Sequence, residues 1–338
     1  MKIAVTHGEV GSEAGRDEQD VLTQAAFVSE GLAALGHETV AVPVSLNLAA
    51  VAQTLAELRP AMVFNLVETI AGKGNLIHLC PALLNALKIP YTGAGMEAMF
   101  LTSNKLLAKR WIAAAGLPTP AWFTAQGTPC GKVSPMHQEL RIEGPWLVKS
   151  VWEHASIGLD EDSVLFGADR KRLLAEMDDR RDALGGACLA EAYIDGREFN
   201  LSLLAGEDGP EILPPAEIRF DRYPPGKVRV VGYRSKWEEG TFEFANTPRT
   251  FEFPPQDAPL LSQLKEFAHR CWKIFDLQGY ARIDFRVDGA GQPWILEVNA
   301  NPCLSPDAGF SAATRQAGLT FPDVLCRILK NGGDLTRA

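Results

Sequence analysis

The 338-residue sequence contains little cysteine, and its six cysteines are scattered without a Cys-x-x-Cys pair. That spacing fits neither a zinc site nor a disulfide framework, and it is typical of a protein of the reducing cytoplasm. No apolar run is long enough to span a bilayer, and Met1-Lys2 leads directly into a strand, so we expect neither a membrane anchor nor a signal peptide. The formal net charge of −9 argues against nucleic-acid binding, because phosphate backbones are bound by basic stripes.

Two signatures of common enzyme classes are also missing. The segment THGEVGSEAG after the first predicted strand lacks the spacing of Gly-x-Gly-x-x-Gly, which argues against a Rossmann dehydrogenase. Cys303 has no evident histidine partner nearby in the sequence. We therefore interpret Cys303 as a small packing residue rather than a nucleophile.

The composition, 46% hydrophobic and 22% charged, is that of a globular protein, and the length suits two or three packed lobes. The first hundred residues alternate between strands and helices, which predicts a small parallel sheet with helices on both faces. The predicted strands are KIAVTHG, ETVAVPV and MVFNLVE, and the predicted helices cover 20–35, 48–58 and 76–87.

Ligands of such sheets bind beyond the carboxyl ends of the strands. The residues at those ends are Thr6, His7, Gly8, Asn65, Glu68 and Thr69. Among them, His7 is either a substrate contact or an ordinary hydrogen-bonded loop histidine.

The rest of the chain is less regular. A helix is predicted to run without a break from the turn at residue 93 to Gly116, where Gly, Pro and Pro stop it. Further on, PWLVKSVW is a strand and 169–182 a charged helix, and CLAEAYIDGREFNLSLLAG is predicted to form a β-hairpin around its Asp-Gly pair. Residues 219–254 carry few helix signals, which indicates either a floppy loop or a functional flap. Helices are predicted at 259–277 and 321–329.

The segment GYARIDFRVDGAGQPWILEVNANP alternates apolar and polar residues on both sides of DGAGQP, which predicts a second β-hairpin. With the turn centred on the Ala290–Gly291 bond, Arg282 lies opposite Asn299 and Asp284 opposite Glu297, all on one face. The other face is apolar and consists of Ile283, Phe285, Val287, Trp294, Leu296 and Val298.

Two carboxylates that face each other repel unless positive charge lies between them. Together with the amide oxygen of Asn299 they make an all-oxygen nest, which suits Mg²⁺ bound with a phosphate chain. Arg282 on the same face could hold an anion or stabilise developing charge. The alternative is a solvated polar face on which Arg282 and Asp284 are simply paired.

Three lysines have a suggestive context. Lys105 opens a helix, Lys149 ends the apolar strand LVK, and Lys236 lies in the flap. A lysine at a buried strand end needs an anion to compensate its charge. The following loop, HASIGL, either covers a phosphate chain with its backbone N–H groups or is an ordinary loop.

The segment LAEAYIDGREF could provide a purine site. Glu191 and the backbone of residues 192–194 are candidates to face an adenine at a strand edge, and Glu198 to reach a ribose or the metal region. The alternative is an exposed hairpin with no ligand.

Taken in order, these segments resemble the ATP-grasp fold and, within it, the D-alanine–D-alanine ligase family, over nearly the whole chain. The motifs that carry the resemblance are ALKIPYTGAG, NKLLAK, LVK, EAYIDGREF, GYRSKWEEG, GYARIDF and EVNANP. The resemblance implies an α/β fold (α+β lobes). It has an N-terminal parallel βα domain at 1–98, a central lobe at 99–188, and a C-terminal lobe at 189–338 with the flap and the metal-binding hairpin.

The resemblance also implies roles for individual residues. ATP phosphates would be bound by Lys105 and Lys149, the adenine by Glu191, Tyr193 and Ile194, and the ribose by Glu198. Lys236 would bind the nucleotide from a flap that closes over it. Two Mg²⁺ ions, with Mn²⁺ as an alternative, would be held by Asp284, Glu297 and Asn299. The catalytic residues would be Arg282, Lys236 and Ser156. Family members activate a carboxylate as an acyl phosphate, which an amine then attacks, releasing ADP and phosphate.

The sequence departs from the family pattern around the substrates. NLVETIAGKGN replaces a histidine–glycine motif with acidic residues, and His154 and Ala155 replace a glycine and a serine in the nucleotide loop. Cys303 and Ala308 stand where the family has a glycine and then a serine that holds the acceptor's carboxylate. We therefore interpret the nucleotide and metal chemistry as intact and both substrate pockets as rebuilt.

We predict a cytoplasmic, ADP-forming carboxylate–amine ligase that acts on small amino-acid-like substrates, with a homodimer suggested by analogy and no nucleic-acid or membrane partner. One alternative is D-alanine–D-alanine ligase proper, which the retained flap and EVNANP favour. Another is an ATP-binding regulator without turnover. The regulator has no need for Arg282, so the complete set of four polar residues on the hairpin argues against it.

Overall fold

Three β-sheets organise the chain in a computed structural model that describes residues 1–11, 15–124, 129–130, 144–153, 156 and 158–332. One sheet is parallel and two are antiparallel, which confirms the predicted α/β class. No helix within these residues is both long and apolar enough to cross a membrane.

The first sheet is parallel, with the strand order β2-β1-β3, and it confirms the predicted βα alternation. Its elements are β1 (Lys2–Gly8), α1 (Arg16–Ala34), β2 (Glu38–Val44), α2 (Leu48–Leu58), β3 (Met62–Asn65) and α3 (Leu79–Leu87). The third strand ends earlier than predicted. Its last side chain, Asn65, accepts a hydrogen bond from the Val67 N–H at 3.2 Å, and this local turn leads the chain out of the sheet.

Two helices, α4 (Met96–Ser103) and α5 (Lys105–Ala114), replace the single predicted helix. The break lies at Asn104, whose backbone is extended and whose side-chain oxygen accepts from the Leu106 and Leu107 N–H groups at 3.0 Å. Asn104 is therefore an N-cap, which makes Lys105 the first residue of a new helix.

The second sheet is antiparallel and five-stranded, with the order β5-β4-β8-β6-β7. Its elements are β4 (Trp122–Thr124), β5 (Pro129–Cys130), β6 (Trp146–Ser150), β7 (Val164–Leu165), α6 (Arg170–Asp179) and β8 (Cys188–Ala192). The sheet and α6 enclose a core of their own, which includes Val148, Leu173 and Ala190.

The third sheet has the order β12-β11-β9-β13-β14, with β10 paired to β9. The remaining elements are β9 (Gly196–Gly206), β10 (Gly209–Ile212), β11 (Ala216–Ile218), α7 (Tyr233–Trp237), α8 (Phe242–Ala245), β12 (Arg249–Thr250), α9 (Ala258–Ile274), β13 (Tyr280–Asp288), β14 (Pro293–Asn299), α10 (Gly309–Gln316) and α11 (Phe321–Lys330). The predicted hairpin around Asp195-Gly196 is wrong, because β8 and β9 lie in different sheets. Each finds a longer ladder elsewhere, β8 with β6 and β9 with the full length of β13. Only three residues, 193–195, connect the second sheet to the third.

Packing joins the third sheet to the rest of the molecule. Helix α1 contributes Val28 and Leu32 to an apolar cluster with Leu325 and Ile328 of α11. Helices α4 and α5 pack with α9 against the same sheet in another cluster. The predicted functional hairpin β13–β14 therefore lies in the sheet that carries most of the shared core, while the domain boundaries at 98/99 and 188/189 stay a prediction.

Candidate active site

The hairpin β13–β14 has the register that its alternation predicts near the site. Arg282 pairs with Asn299, and Asp284 pairs with Glu297. Opposed residues in an antiparallel pair share a face, so the four polar side chains are confirmed as neighbours on one side of the sheet.

Beyond the Asp284–Glu297 pair the register shifts, and Phe285 pairs with Ile295. This β-bulge makes part of the predicted apolar face wrong: Ile295 is fully buried, whereas Trp294 and Leu296 are only partly buried. The extra residue of a bulge reverses the side-chain alternation after it. The bulge lets Glu297 face the site while the strand still buries Ile295.

Asp284 is the centre of the hydrogen-bond network on this face. Its two oxygens accept from Arg282 Nε and Nη2, both at 2.8 Å, and also from Asn299 Nδ2 at 3.1 Å. Asn200 on β9, which the sequence analysis missed, donates its side-chain amide to Oδ1 at 2.8 Å. The alternation of Glu198, Asn200 and Ser202 was the available signal, because it places all three on the face that borders Asp284.

Arg282 and Asp284 are paired, as the alternative interpretation stated, but the pair is not solvated: the side chains are 20% and 14% exposed. Burial alone would lower the pKa of Arg282, but the adjacent Asp284 carboxylate and then Glu297 hold it above its usual value. Arg282 is therefore a fixed positive charge on this face.

The donor set fits a hard divalent cation. Asp284, Glu297 and Asn299 offer carboxylate and amide oxygens from two adjacent strands, which is the ligand chemistry of Mg²⁺. In the described part of the chain no group of three His, Cys, Asp or Glu side chains could hold a metal ion, so a bound ion would need the amide or a ligand's own oxygens.

Lys105 is buried at the start of α5, and its Nζ donates to the carbonyl oxygen of Glu153 at 2.7 Å. Burial lowers the pKa of Lys105, and Glu297 is the carboxylate that most opposes this shift. The first lysine of the sequence prediction therefore lies within the electrostatic reach of the hairpin.

Lys149 finds its expected anion inside the protein. Its Nζ lies 2.8 Å from Oε1 of Glu191, on the neighbouring strand β8. The other oxygen of Glu191 is paired with Lys109, a residue that the sequence analysis missed. Lys109 follows Lys105 by one turn of α5, so the two lie on the same side of the helix.

At the predicted adenine site, several polar groups already have hydrogen-bond or ion-pair partners within the protein. The Glu191 carboxylate is 3% exposed and engaged by two lysines. The N–H of Ala192 donates to Ala121 O at 2.8 Å, and the N–H of Tyr193 donates to Pro145 O at 2.9 Å. These two backbone N–H groups are thus engaged within the protein.

Glu198 forms an ion pair with Arg286 Nη2 at 2.8 Å, another residue that the sequence analysis missed. Burial raises the pKa of Glu198, and Arg286 opposes the shift. Arg286 also donates to the carbonyl oxygens of Gly196 and Arg229, and the latter bond ties the segment before α7 to β13.

The predicted flap contains the short helices α7 and α8. Lys236 in α7 is exposed, and the charged groups around it are Arg282, Glu297, Asp284 and Glu198. The flap is docked on the loop of the second sheet: Ser156 Oγ donates to Val231 O at 2.9 Å, and the Tyr233 N–H donates to Leu159 O at 3.2 Å. His154 and Ala155 of the predicted phosphate loop lie outside the described residues.

The first lobe faces the hairpin through Glu68. Gln24 Nε2 donates to this carboxylate at 3.0 Å, and burial raises its pKa to about 7, with Asp20 adding to the shift and Arg282 opposing it. Glu68 therefore lies within the electrostatic reach of Arg282. His7, near the end of β1, bonds through Nδ1 to Gly8 O at 2.8 Å, and its role as a substrate contact stays a prediction.

Comparison with known proteins places these observations in a family. A family model described as "D-ala D-ala ligase C-terminus" matches residues 111–330. The D-alanine–D-alanine ligase of Moorella thermoacetica is 30% identical over 97% of this chain and 98% of that protein. The D-alanine–D-alanine ligase of Methylococcus capsulatus is also 30% identical, over 97% and 95%.

A solved structure agrees on the fold. The crystal structure of D-alanine–D-alanine ligase from Bacillus anthracis complexed with ATP matches with a TM-score of 0.71 at 20% identity, over 100% of this chain and 98% of that one. The match covers all three sheets, which supports the ATP-grasp fold for the whole chain.

Proposed function

The chain belongs to the D-alanine–D-alanine ligase family and is therefore an ATP-dependent, ADP-forming ligase, and we propose that it joins two small amino-acid-like substrates through an acyl phosphate. The observation that carries this proposal is the hairpin face. Arg282 and the carboxylates of Asp284 and Glu297 meet there, with Lys105 and Lys236 from two other elements within electrostatic reach.

The positions of the lysines suggest where the nucleotide binds. We assign ATP phosphates to Lys105, Lys149 and Lys236, because phosphoryl transfer depends on positioning and charge neutralisation rather than on a protein nucleophile. The adenine would lie along Glu191, Tyr193 and Ile194, and the ribose near Glu198. The Glu191 carboxylate already binds two lysines, and the N–H groups of Ala192 and Tyr193 are already engaged, so we assign adenine to the remaining backbone groups of this segment.

The metal half would be Asp284, Glu297 and Asn299, which we propose to hold two Mg²⁺ ions. The ions would neutralise the charge of the phosphate chain. Asn200 and Arg282 orient Asp284 through its two oxygens, so that the carboxylate is fixed before a ligand arrives.

The reaction then has two steps. A carboxylate oxygen of the first substrate attacks the γ-phosphorus, and the bond to the ADP oxygen breaks. The amine of the second substrate attacks the acyl carbon, the bond between that carbon and the phosphate oxygen breaks, and the phosphate leaves with a proton from the amine. Arg282 stabilises the oxyanion of the tetrahedral intermediate, and the docked flap, anchored by Ser156, excludes water that would hydrolyse the acyl phosphate.

The names of the relatives favour a second candidate, synthesis of D-alanyl-D-alanine itself. Two residues argue against it. Cys303 contacts Asp20 of α1 through its sulfur at 3.1 Å, and Ala308, the N-cap residue of α10, has no hydroxyl. The pocket that would hold the acceptor's carboxylate is thus built differently, and we propose other small amino acids as the substrates. By analogy we also propose a homodimer, and the scattered cysteines favour the cytoplasm.

The test is Mg²⁺-dependent phosphate release from ATP across paired D- and L-amino acids, with product mass detected. Release that needs two amino acids, with a mass equal to their condensation, supports the proposal and names the substrates. A D-alanine dipeptide as the preferred product would favour the second candidate.

The matched control for this assay is Glu297→Gln, which should abolish turnover and leave the fold intact, because Glu297 lies on the polar face of the hairpin. Full activity of this variant would show that the metal site is placed wrongly. If the wild-type protein did not bind ATP at all, the proposed function would have to be abandoned.

A further inference from the structure

Lys109 belongs to a buried cluster in which lysines surround the carboxylate of Glu191. The side chains of Lys109 and Glu191 are 1% and 3% exposed, and Lys149 is 11% exposed. Lys105 lies within electrostatic reach of both Lys149 and Glu191. Glu297 and Glu153 also act on Lys105, so Glu191 is the carboxylate that Lys109 and Lys149 share.

The ammonium group of Lys109 is held from several sides. It forms an ion pair with Glu191 Oε2 and donates hydrogen bonds to Thr119 Oγ1 at 2.8 Å and to the carbonyl oxygen of Pro120 at 3.0 Å. Thr119 in turn donates to Ile295 O at 2.9 Å, so the group is tied to strand β14. Lys109 is therefore held in place and cannot turn away from the carboxylate.

The carboxylate is divided between two partners. Oε1 of Glu191 binds Lys149, and Oε2 binds Lys109. Burial by itself would raise the pKa of Glu191, but the two ammonium groups lower it, so the carboxylate is charged. One negative charge shared by two lysines cannot neutralise either of them fully.

We propose that Lys109 is a positioning residue for ATP: by holding one oxygen of Glu191, it keeps Lys149 incompletely neutralised and so available to a phosphate. Without Lys109, both oxygens of Glu191 would fall to Lys149. The resulting one-to-one pair in a buried place would compete with the nucleotide for the ammonium group. This inference rests on the proposed function, because it needs Lys149 at the phosphates.

A purely structural role makes a different prediction. If Lys109 only supported the fold through Thr119 and Pro120, removing the charge of Glu191 as well would not restore the Mg-ATP affinity. If Lys109 acts through the carboxylate, neutralising Glu191 should restore the Mg-ATP affinity that is lost when Lys109 is replaced. A double-mutant cycle separates the two roles.

The experiment measures Mg-ATP affinity by calorimetry in Lys109→Met, in Glu191→Gln and in the combined variant. Lys171→Met, the same change at an exposed lysine of α6, is the control. Loss of Lys109 should weaken Mg-ATP binding at least about tenfold, the equivalent of one charged hydrogen bond. The combined variant should bind within about twofold of Glu191→Gln alone, and the control should bind like the wild type.

Three results would overturn the inference. An unchanged Mg-ATP affinity in Lys109→Met would contradict the role of Lys109 and leave the proposed function in place. A combined variant that binds as weakly as Lys109→Met would leave only a structural role. Absence of Mg-ATP binding by the wild type would remove the proposed function and this inference together.

Folding of the single variant does not limit the test. Lys109→Met leaves a buried carboxylate with one partner fewer, whereas the combined variant leaves no buried carboxylate. If thermal melting shows that only Lys109→Met is unfolded, the Mg-ATP affinities of the combined variant and of Glu191→Gln test the proposal. A tenfold difference between those two contradicts the proposal, and near equality supports it.

Discussion

Asn200 and Asp284 lie opposite each other on adjacent strands, and the amide of the first donates to the carboxylate of the second at 2.8 Å. The bond fixes the position of a predicted metal ligand from outside its own hairpin. Arg282 and Asn299 hold the same carboxylate from β13 and β14, so Asp284 is oriented from three strands.

Replacing Asn200 with Ala should lower kcat about tenfold and raise the Mg²⁺ concentration needed for half-maximal rate, because Asp284 loses a charge-assisted hydrogen bond. Steady-state rates over a Mg²⁺ titration measure both effects. Asn331→Ala, which removes an amide bond to the Arg327 carbonyl at the end of α11, is the matched control. Identical Mg²⁺ dependence in wild type and Asn200→Ala would contradict the orienting role.

Replacing Arg282 with Ala should reduce kcat by ~10²-fold or more, because the variant lacks the charge that stabilises the tetrahedral intermediate. Arg282→Lys keeps a charge but cannot reproduce the two bonds to Asp284, so it should fall between Ala and wild type. Turnover at saturating ATP, with thermal melting to check the fold, distinguishes the three proteins. An Ala variant with full turnover would place the anion-stabilising charge elsewhere.

Glu68 should make the stability of the protein depend on pH. Burial raises its pKa from 4.5 to about 7, so between these values the folded protein holds a proton that the unfolded chain has lost. The free energy of unfolding should therefore fall as the pH rises through this range, by about 1–3 kcal/mol, with no contribution below pH 4.5.

The measurement for Glu68 is denaturant unfolding of the wild type and Glu68→Gln at pH 5 and at pH 8. The Gln variant should gain stability relative to the wild type at the higher pH only. Glu207→Gln, at the exposed turn between β9 and β10, is the control for the loss of one carboxylate. A stability difference that stays constant with pH would show that Glu68 is ionised at little cost.

Gly232 should be intolerant of a side chain. A Cβ on Gly232 would lie 2.4 Å from the carbonyl oxygen of Leu159, a backbone atom that no rotamer change can move. Gly232→Ala should therefore undock the flap, with a penalty of about 1–3 kcal/mol, and lower kcat by about 10- to 100-fold.

Undocking should also let water reach the acyl phosphate, so Gly232→Ala should release more phosphate per amide bond formed than the wild type. Gly289→Ala, in the open turn of the hairpin, is the matched control, because a Cβ there meets nothing within 4 Å. Coupled phosphate and product assays compare the two. An unchanged ratio in Gly232→Ala would show that this contact does not seal the site.

The sequence predicted the hairpin register because strict alternation over two short strands leaves little freedom. It could not predict the bulge after Asp284, because Ile295, Leu296 and Glu297 have no pattern that fixes which residue is the extra one. The bulge is decided by the core that receives Ile295, and that core comes from distant parts of the chain.

Long-range partners explain the other differences. The Asp195-Gly196 pair signals a turn locally, but β9 forms its longest ladder with β13, far along the sequence. In the sequence, Lys109 does not differ from other helix lysines, and only the structure shows that it forms an ion pair with Glu191. Helix and strand positions in the first lobe were predictable because they depend on local periodicity, whereas ion pairs between residues far apart in the sequence do not.

The connection formed by residues 193–195 has a consequence for how the molecule moves. A link of three residues between two sheets has almost no slack, so we expect any relative motion of the two sheets to be smallest at this link. Two residues of this link, Tyr193 and Ile194, also belong to the proposed adenine site. The adenine would thus bind where the displacement of the second sheet relative to the third is smallest. The largest displacement would be at the edge of the second sheet that lies farthest from this link.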